Sequence, residues 1–382
     1  MSDIKNKKTK KRKDPIKTLV KWLCITAVLA IAAMAGQIFL ERYRGQLLQD
    51  RVAEVEAINA QRKQEYLVAL AEFQQATASG VNLAWPAQKT EGWDVVDLTS
   101  YPLESVYTEE HTRQELMYDG VLLVNQWHSR PEDYLETGLV SIGSYTSGKI
   151  PVKDYNVLNL PVAINALLQA LADAEAVGLK DYLVDEAYRS YAYQESLFQS
   201  QVSKLSSKYS GDELLAKAAE SVNYPGTSEY NTGLSYRLRL YNRNDVSVGQ
   251  QTFSTSEQGV WLAENCWRYG IIFRFPVTDF PTKGTADKSY KTGISTKMNL
   301  YRYVGQGNAA AMHTLDYCLE EYIEYLQEHP HIAVFEDGVL RYEIVRQNVG
   351  EAETFALQLN KKAASWSASL DNMGGAVIVF AY

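Results

Sequence analysis

From Trp22 to Leu40 the chain is almost wholly apolar, broken only by Thr26 and Gln37. As a helix this stretch spans roughly 28 Å at ~1.5 Å per residue, close to the hydrocarbon thickness of a bilayer, and predicts one transmembrane anchor. Residues 41–79 change to a helical period. Leu48, Val52, Val55, Tyr66, Leu70 and Phe73 recur at three- and four-residue steps, in a segment without proline and without glycine after Gly45 until its end, and predict a helical stalk. Ser79-Gly80 and Pro86 open a connector over 80–117. The body then alternates short apolar runs with amphipathic stretches. Gly120–Asn125, Tyr182–Val184 and Leu234–Leu240 predict strands; residues 161–178, Tyr193–Lys208, Trp261–Gly270 and Ala309–Leu326 predict helices, the last with its acidic residues outward. Beyond residue 328 the pattern turns to β-like runs at Ile332–Phe335, Leu340–Val345 and Ala376–Phe380, punctuated by Asp337-Gly338 and Gly374-Gly375. These predict a C-terminal β appendage over 329–382.

Charge sharpens the first element. Residues 1–21 carry nine Lys and Arg against Asp3 and Asp14, so a tail of net +7 precedes a body of about −15 in a chain of net −8. Basic residues ahead of an apolar span keep the N-terminus cytoplasmic and send the body outside, which accounts for the tail without nucleic acid. A cleaved signal peptide is the alternative, because Ala33-Met34-Ala35 resembles a cleavage site. Only Cys266 and Cys318 lie outside the span, and the sequence leaves open one disulfide or two buried thiols. His329-Pro330-His331 reads as a solvent-facing turn rather than a metal site.

The chemistry rests on two stretches. One reads Pro225-Gly226-Thr227-Ser228-Glu229-Tyr230-Asn231-Thr232-Gly233-Leu234-Ser235-Tyr236-Arg237-Leu238. The other runs from Thr292-Gly293 through Lys297-Met298-Asn299-Leu300 to Tyr301-Arg302-Tyr303-Val304-Gly305. With Tyr188-Arg189-Ser190-Tyr191, Gln194 and Trp261-Leu262, they resemble the VanY-type zinc D,D-carboxypeptidases, which trim D-alanine from cell-wall peptides. The resemblance spans about 118–328. It implies an α+β fold, a D,D-peptidase domain of the hedgehog-like type with an antiparallel sheet and flanking helices.

That family carries Ser-Glu-His-x-x-Gly-x-x-x-Asp and Glu-x-x-His, a His/Asp/His zinc site with a Glu base. Here Tyr230 and Arg237 replace the first His and the Asp, while Lys297 and Leu300 replace the Glu and the second His. The resemblance therefore implies zinc, while these residues predict no metal, no cofactor and no catalytic residue. Leu300 has no donor atom and Arg237 does not ligate. What remains is a candidate binding site, with Arg189, Gln194, Ser228, Arg237 and Lys297 as ligand contacts. Arg189, Arg237 and Lys297 give about +3, suited to a peptidoglycan stem peptide or an anionic wall polymer. In the alternative, Arg237 pairs with Glu229 or another carboxylate and plugs the cavity. The expected protein is a single-pass bacterial envelope protein, an inactive D,D-carboxypeptidase homologue that binds a wall component or scaffolds an envelope protein partner. The competing expectations are an active D-alanyl-D-alanine carboxypeptidase with a non-standard metal site, and a spacer that binds nothing.

Overall fold

The computed structural model describes residues 92–103 and 105–382, and in addition Thr26, Met34, Gly36, Ile38, Phe39 and Arg42, which are helical. The basic tail, and apart from those six positions the predicted span and stalk, lie outside the described residues. Among the described residues no helix is long and apolar enough to cross a membrane.

Two antiparallel sheets organise the body. The first contains β5 (Tyr182–Glu186), β6 (Ser235–Leu240), β7 (Ile271–Phe273) and β8 (Leu300–Tyr303) in the order β5-β6-β8-β7. Its apolar face packs on the helix Pro161–Ala176, whose Ala163, Ile164, Leu167, Leu171 and Ala174 are buried with Tyr182, Val184, Tyr236 and Leu238. Leu160 before the proline is extended, as the ring following it requires, and Pro161 occupies the first helical turn. A short pair, β3 (Val140–Ser141) with β4 (Leu158–Asn159), lies in the segment before that helix.

The second sheet contains β1 (Trp93–Asp97), β9 (His331–Glu336), β10 (Val339–Asn348), β12 (Ser365–Leu370) and β13 (Gly375–Ala381), ordered β1-β9-β10-β13-β12. It is covered on both faces. Val377 and Val379 of β13 meet the helices Gln306–Leu315 and Leu319–Glu328. Ala376, Ile378 and Phe380 meet Leu357 and Leu359 of β11 (Thr354–Asn360), which pairs with β2 (Val106–Thr112). Double coverage explains why β13 reads as a continuous apolar run rather than an alternating one. Asp337 and Gly338 both hold positive φ, 49° and 76°, as the tight β9–β10 hairpin demands. Thus strands from within the 80–117 segment, read as a connector, complete the β structure predicted for the C-terminal residues.

Several expectations need correction. Gly120–Asn125 is not a strand. Val121–Val124 are buried as a central strand would be, but side chains satisfy much of the backbone here. Arg302 donates to the carbonyls of Gly120 at 2.9 Å and Leu122 at 3.0 Å, and Val121 N–H donates to Ser369 Oγ at 2.8 Å. The single helix expected over Ala309–Leu326 is two, because Asp316 turns left-handed at φ 57°. Its acidic residues are only partly outward: Glu324 is exposed, whereas Glu320 and Glu321 are buried and paired with Arg274 and Lys288. Cys266 and Cys318 are free buried thiols, and burial pushes the Cys266 thiol up to about 12.

His331 does not lie in a solvent-facing turn. It opens β9 in a buried position, with Nε2 2.8 Å from Glu343 Oε1 and Nδ1 2.9 Å from the Tyr101 carbonyl. Asn360 and Tyr382 also donate to Glu343. Burial opposes the charged imidazolium, but the Glu343 and Tyr101 bonds outweigh it and raise the His331 pKa above its ordinary 6.5. Burial likewise opposes the Glu343 carboxylate, and the bonds it accepts outweigh that and hold it below 4.5. The His331 contribution is therefore complete below pH 6.5 and lost as pH rises through its folded value. The Glu343 contribution is complete above pH 4.5 and lost as pH falls through its own. Chemical denaturation of wild type and Glu343→Gln should accordingly give a larger stability difference at about pH 5.5 than at about pH 8.5. An equal difference at both values contradicts the pairing.

Candidate functional site

Glu229–Thr232 form a single 3-10 turn that leaves through Gly233 at φ 68°, a left-handed position that favours glycine. Asn231 Nδ2 donates to the Arg189 carbonyl at 2.7 Å, and the Arg189 N–H donates to the Tyr230 carbonyl at 2.9 Å. The turn bearing Tyr230 and the segment bearing Arg189 are thus fixed to each other. The Ser228 N–H donates to Asn231 Oδ1 at 3.4 Å, and Ser228 itself is buried at the entrance of the turn.

Beneath this turn lies a cluster of charges closed to water. Arg274 and Arg302 are both fully buried. Arg274 Nε donates to Glu229 Oε2 at 2.7 Å, and its two terminal nitrogens donate to the Glu320 carboxylate at 2.9 and 2.7 Å. Arg302 donates to the other Glu229 oxygen, which also accepts from Ser235 Oγ at 2.6 Å. Asn125 Nδ2 adds a bond of 3.1 Å to Glu320. Two cations and two anions balance, and forked guanidinium–carboxylate geometry satisfies the polar atoms. Burial alone would raise the Glu229 pKa; Arg302 and Arg274 override it and hold the carboxyl ionised.

Above the cluster, three of the four degenerate positions converge. Arg237 in the central strand β6 lies opposite Glu186 of β5 and Leu300 of β8. Tyr230, Leu300 and Phe275 form one buried apolar cluster, with Ile294 and Met298 packed against it. The Arg189 guanidinium lies 4.1 Å from the centroid of the Tyr230 ring. The Tyr230 hydroxyl is buried without a hydrogen-bond partner among the described residues. Burial raises its pKa, disfavouring the phenolate that a metal would need.

Arg237 pairs not with Glu229 but with another carboxylate, the second form of the alternative reading. Its Nε and Nη2 donate to the two oxygens of Asp185, each at 2.9 Å, and Nη1 lies 3.3 Å from Glu186 Oε2. The Asp185 bonds raise its pKa further. Glu186 also takes Arg189, through Nε at 2.7 Å and Nη2 at 2.6 Å, while Arg189 Nη1 donates to Gln194 Oε1 at 3.1 Å. Gln194 is buried, with Nε2 bonded to the Asn223 carbonyl at 2.8 Å. Lys297 stands exposed, its Nζ 5.7 Å from the centre of the Phe280 ring.

The structure therefore joins Arg189 and Arg237 through Glu186, spends Gln194 and Ser228 on internal bonds, and leaves Lys297 at the surface. The expected charge of +3 is not found there: Asp185 and Glu186 offset Arg237 and Arg189, so the joined group is neutral, and Arg239, its Nε 3.9 Å from Asp185 Oδ2, lies at its edge. These two acids were not singled out from the sequence, although adjacent carboxylates at the end of a strand, just before Tyr188-Arg189-Ser190, were the available signal. Phe275 gave no such signal, since nothing local marks an apolar residue as filling a site.

Zinc needs three donors and an open position. The residues converging here, a neutral buried phenol, a guanidinium already forked onto Asp185 and a leucine, do not fit it. Among the described residues, no group of three or more His, Cys, Asp and Glu side chains is placed to hold a metal ion.

Comparison with known proteins locates this arrangement. The VanY family profile, described as D-alanyl-D-alanine carboxypeptidase, matches residues 159–306. A D-alanyl-D-alanine carboxypeptidase of Enterococcus faecium is 26% identical over 284 residues, 72% of this chain and 82% of that protein. The bifunctional D-Ala-D-Ala dipeptidase and D-Ala-D-Ala carboxypeptidase VanXYC of Enterococcus gallinarum is 30% identical over 154 residues, 40% of this chain and 72% of its own length. Among solved structures, the vancomycin resistance D,D-dipeptidase VanXYg superposes with a TM-score of 0.54 at 22% identity, covering 72% of this chain and 99% of that one, a likeness of fold.

The buried charge cluster makes a direct stability prediction. Glu229→Gln leaves Arg274 and Arg302 with one carboxylate fewer inside the protein, and should cost about 3–5 kcal/mol in urea denaturation. A loss below about 1 kcal/mol, the scale of an exposed pair, would contradict the reading of a sealed network.

Proposed function

The chain belongs to the VanY family of D-alanyl-D-alanine carboxypeptidases, and from that premise we propose that it is a member that binds the wall peptide without cleaving it. The observation that carries this reading is the apolar cluster of Tyr230, Leu300 and Phe275, which occupies the positions where the family motif holds two of its three metal ligands. Without a metal-bound water the site has no nucleophile, and Lys297, exposed over Phe280, has no activated water to deprotonate.

Recognition falls to Arg189. Glu186 and Gln194 hold its guanidinium in a fixed orientation, so little side-chain entropy remains to be lost when a guest binds. With Arg189 and Arg237 offset by Glu186 and Asp185, the joined group offers no cluster of free cations, which suits the single carboxylate at the end of a stem peptide better than a polyanionic wall polymer. The apolar stretch Trp22–Leu40, preceded by nine basic residues, supports a placement in which the cytoplasmic tail and membrane anchor hold this domain outside the cell, at the wall.

The test combines turnover and binding. With added zinc, the purified protein should release no D-alanine from a pentapeptide ending in D-Ala-D-Ala, yet calorimetry should detect saturable binding of that peptide. Arg189→Glu should weaken the binding at least about tenfold, or 1.4 kcal/mol. Release of D-alanine, or wild-type protein that takes up no peptide, would overturn the proposal.

A further inference from the structure

A groove of about 360 Å³ lies apart from the Arg189 site, where the helix Pro161–Ala176 approaches the outer strands of the five-stranded sheet. Asn165 and Gln169 stand one turn apart on the exposed face of that helix and form one wall. Tyr269, Tyr303 and Tyr342 supply aromatic surface, and Gln306 a further amide. The Tyr269 ring is fixed by its hydroxyl, which donates to Asp173 Oδ2 at 2.7 Å. Gly307 lets the helix Gln306–Leu315 approach Tyr342 closely, for a Cβ there would lie 3.0 Å from the tyrosine ring and 2.5 Å from Val379. In a chain with 22% charged residues, no residue lining this groove carries a formal charge.

Such a lining selects by chemistry. An anion or cation entering it would lose hydration without gaining a counter-charge. A purely apolar guest would desolvate the Gln169 amide and the side-chain carbonyls of Asn165 and Gln306, whose Nδ2 and Nε2 already reach Tyr145 Oη at 3.3 Å and the Arg268 carbonyl at 3.4 Å. A ligand with flat C–H faces for the tyrosines and many neutral hydroxyl or acetamido groups for the amides meets both conditions. We propose that this groove binds a neutral saccharide chain. It is a second contact, separate from the peptide site, and it rests on the reading that the protein works at the cell wall.

The probe is the linear tetramer of N-acetylglucosamine, titrated calorimetrically into the purified full-length protein. Saturable binding is expected, weakened at least tenfold in Ser367→Trp, which fills the groove from an exposed position on β12. Gln169→Lys, on the exposed helix face, should weaken it as well and serves if the tryptophan variant does not fold. Arg189→Glu should leave it unchanged, and Ser367→Trp should leave peptide binding unchanged, so the two sites are judged separately. Absence of saccharide binding by the wild type, or equal binding by both groove variants, would overturn the proposal, whatever the peptide does.

Discussion

The two arginines and two glutamates sealed under the 3-10 turn are the constraint on which the rest of the site depends. Glu229 precedes Tyr230 in the chain, so bonding its carboxylate to Arg274 and Arg302 fixes where position 230 points. The same four charges tie the residue after β7, the strand β8, the helix Leu319–Glu328 and the segment Gly120–Leu122 to one point. An uncompensated charge at that depth is far more costly than the net gain from the completed network. The cluster therefore works by excluding alternatives: any arrangement that separates one member strands the others.

Upon this frame the upper layer has been rebuilt with different materials. Where the family motif carries polar ligands, the sheet presents Leu300 beside Arg237, and the turn presents Tyr230 against Leu300 and Phe275. Each replacement is satisfied locally. Arg237 is forked by Asp185, Arg189 is taken by Glu186 and Gln194, and the apolar members pack on one another. Of the replaced side chains, Tyr230 has a buried hydroxyl without a hydrogen-bond partner among the described residues. Local satisfaction of nearly every group explains how these replacements are accommodated, with the Arg189 guanidinium held in a fixed orientation by Glu186 and Gln194.

Much of this was legible in the chain because it depends on local pattern. The period of residues 161–178 and the alternation around Tyr236 and Leu238 predict the helix and the central strand, and the motif spacing marks Tyr230, Arg237 and Leu300. What was missed depends on partners distant in sequence. Arg274 and Glu320 read as ordinary polar residues until the fold brings them together. Val121–Val124 read as a strand because burial alone sets their composition, while the hydrogen bonds that replace a ladder come from Arg302 and Ser369, some 180 and 248 residues away. The two strands before the peptidase-like region, β1 and β2, were obscured for the same reason, since their mates are β9 and β11. The excess positive charge failed because the neutralising Asp185 and Glu186 were not counted.

The central claim is that the position at the heart of this fold is filled and does not take a divalent ion. Equilibrium dialysis of the wild-type protein against zinc, followed by metal analysis, tests it most directly. The account predicts no tightly retained zinc, in wild type and Tyr230→Phe alike. One zinc per chain in the wild type, lost on replacing Tyr230 by phenylalanine, would contradict it.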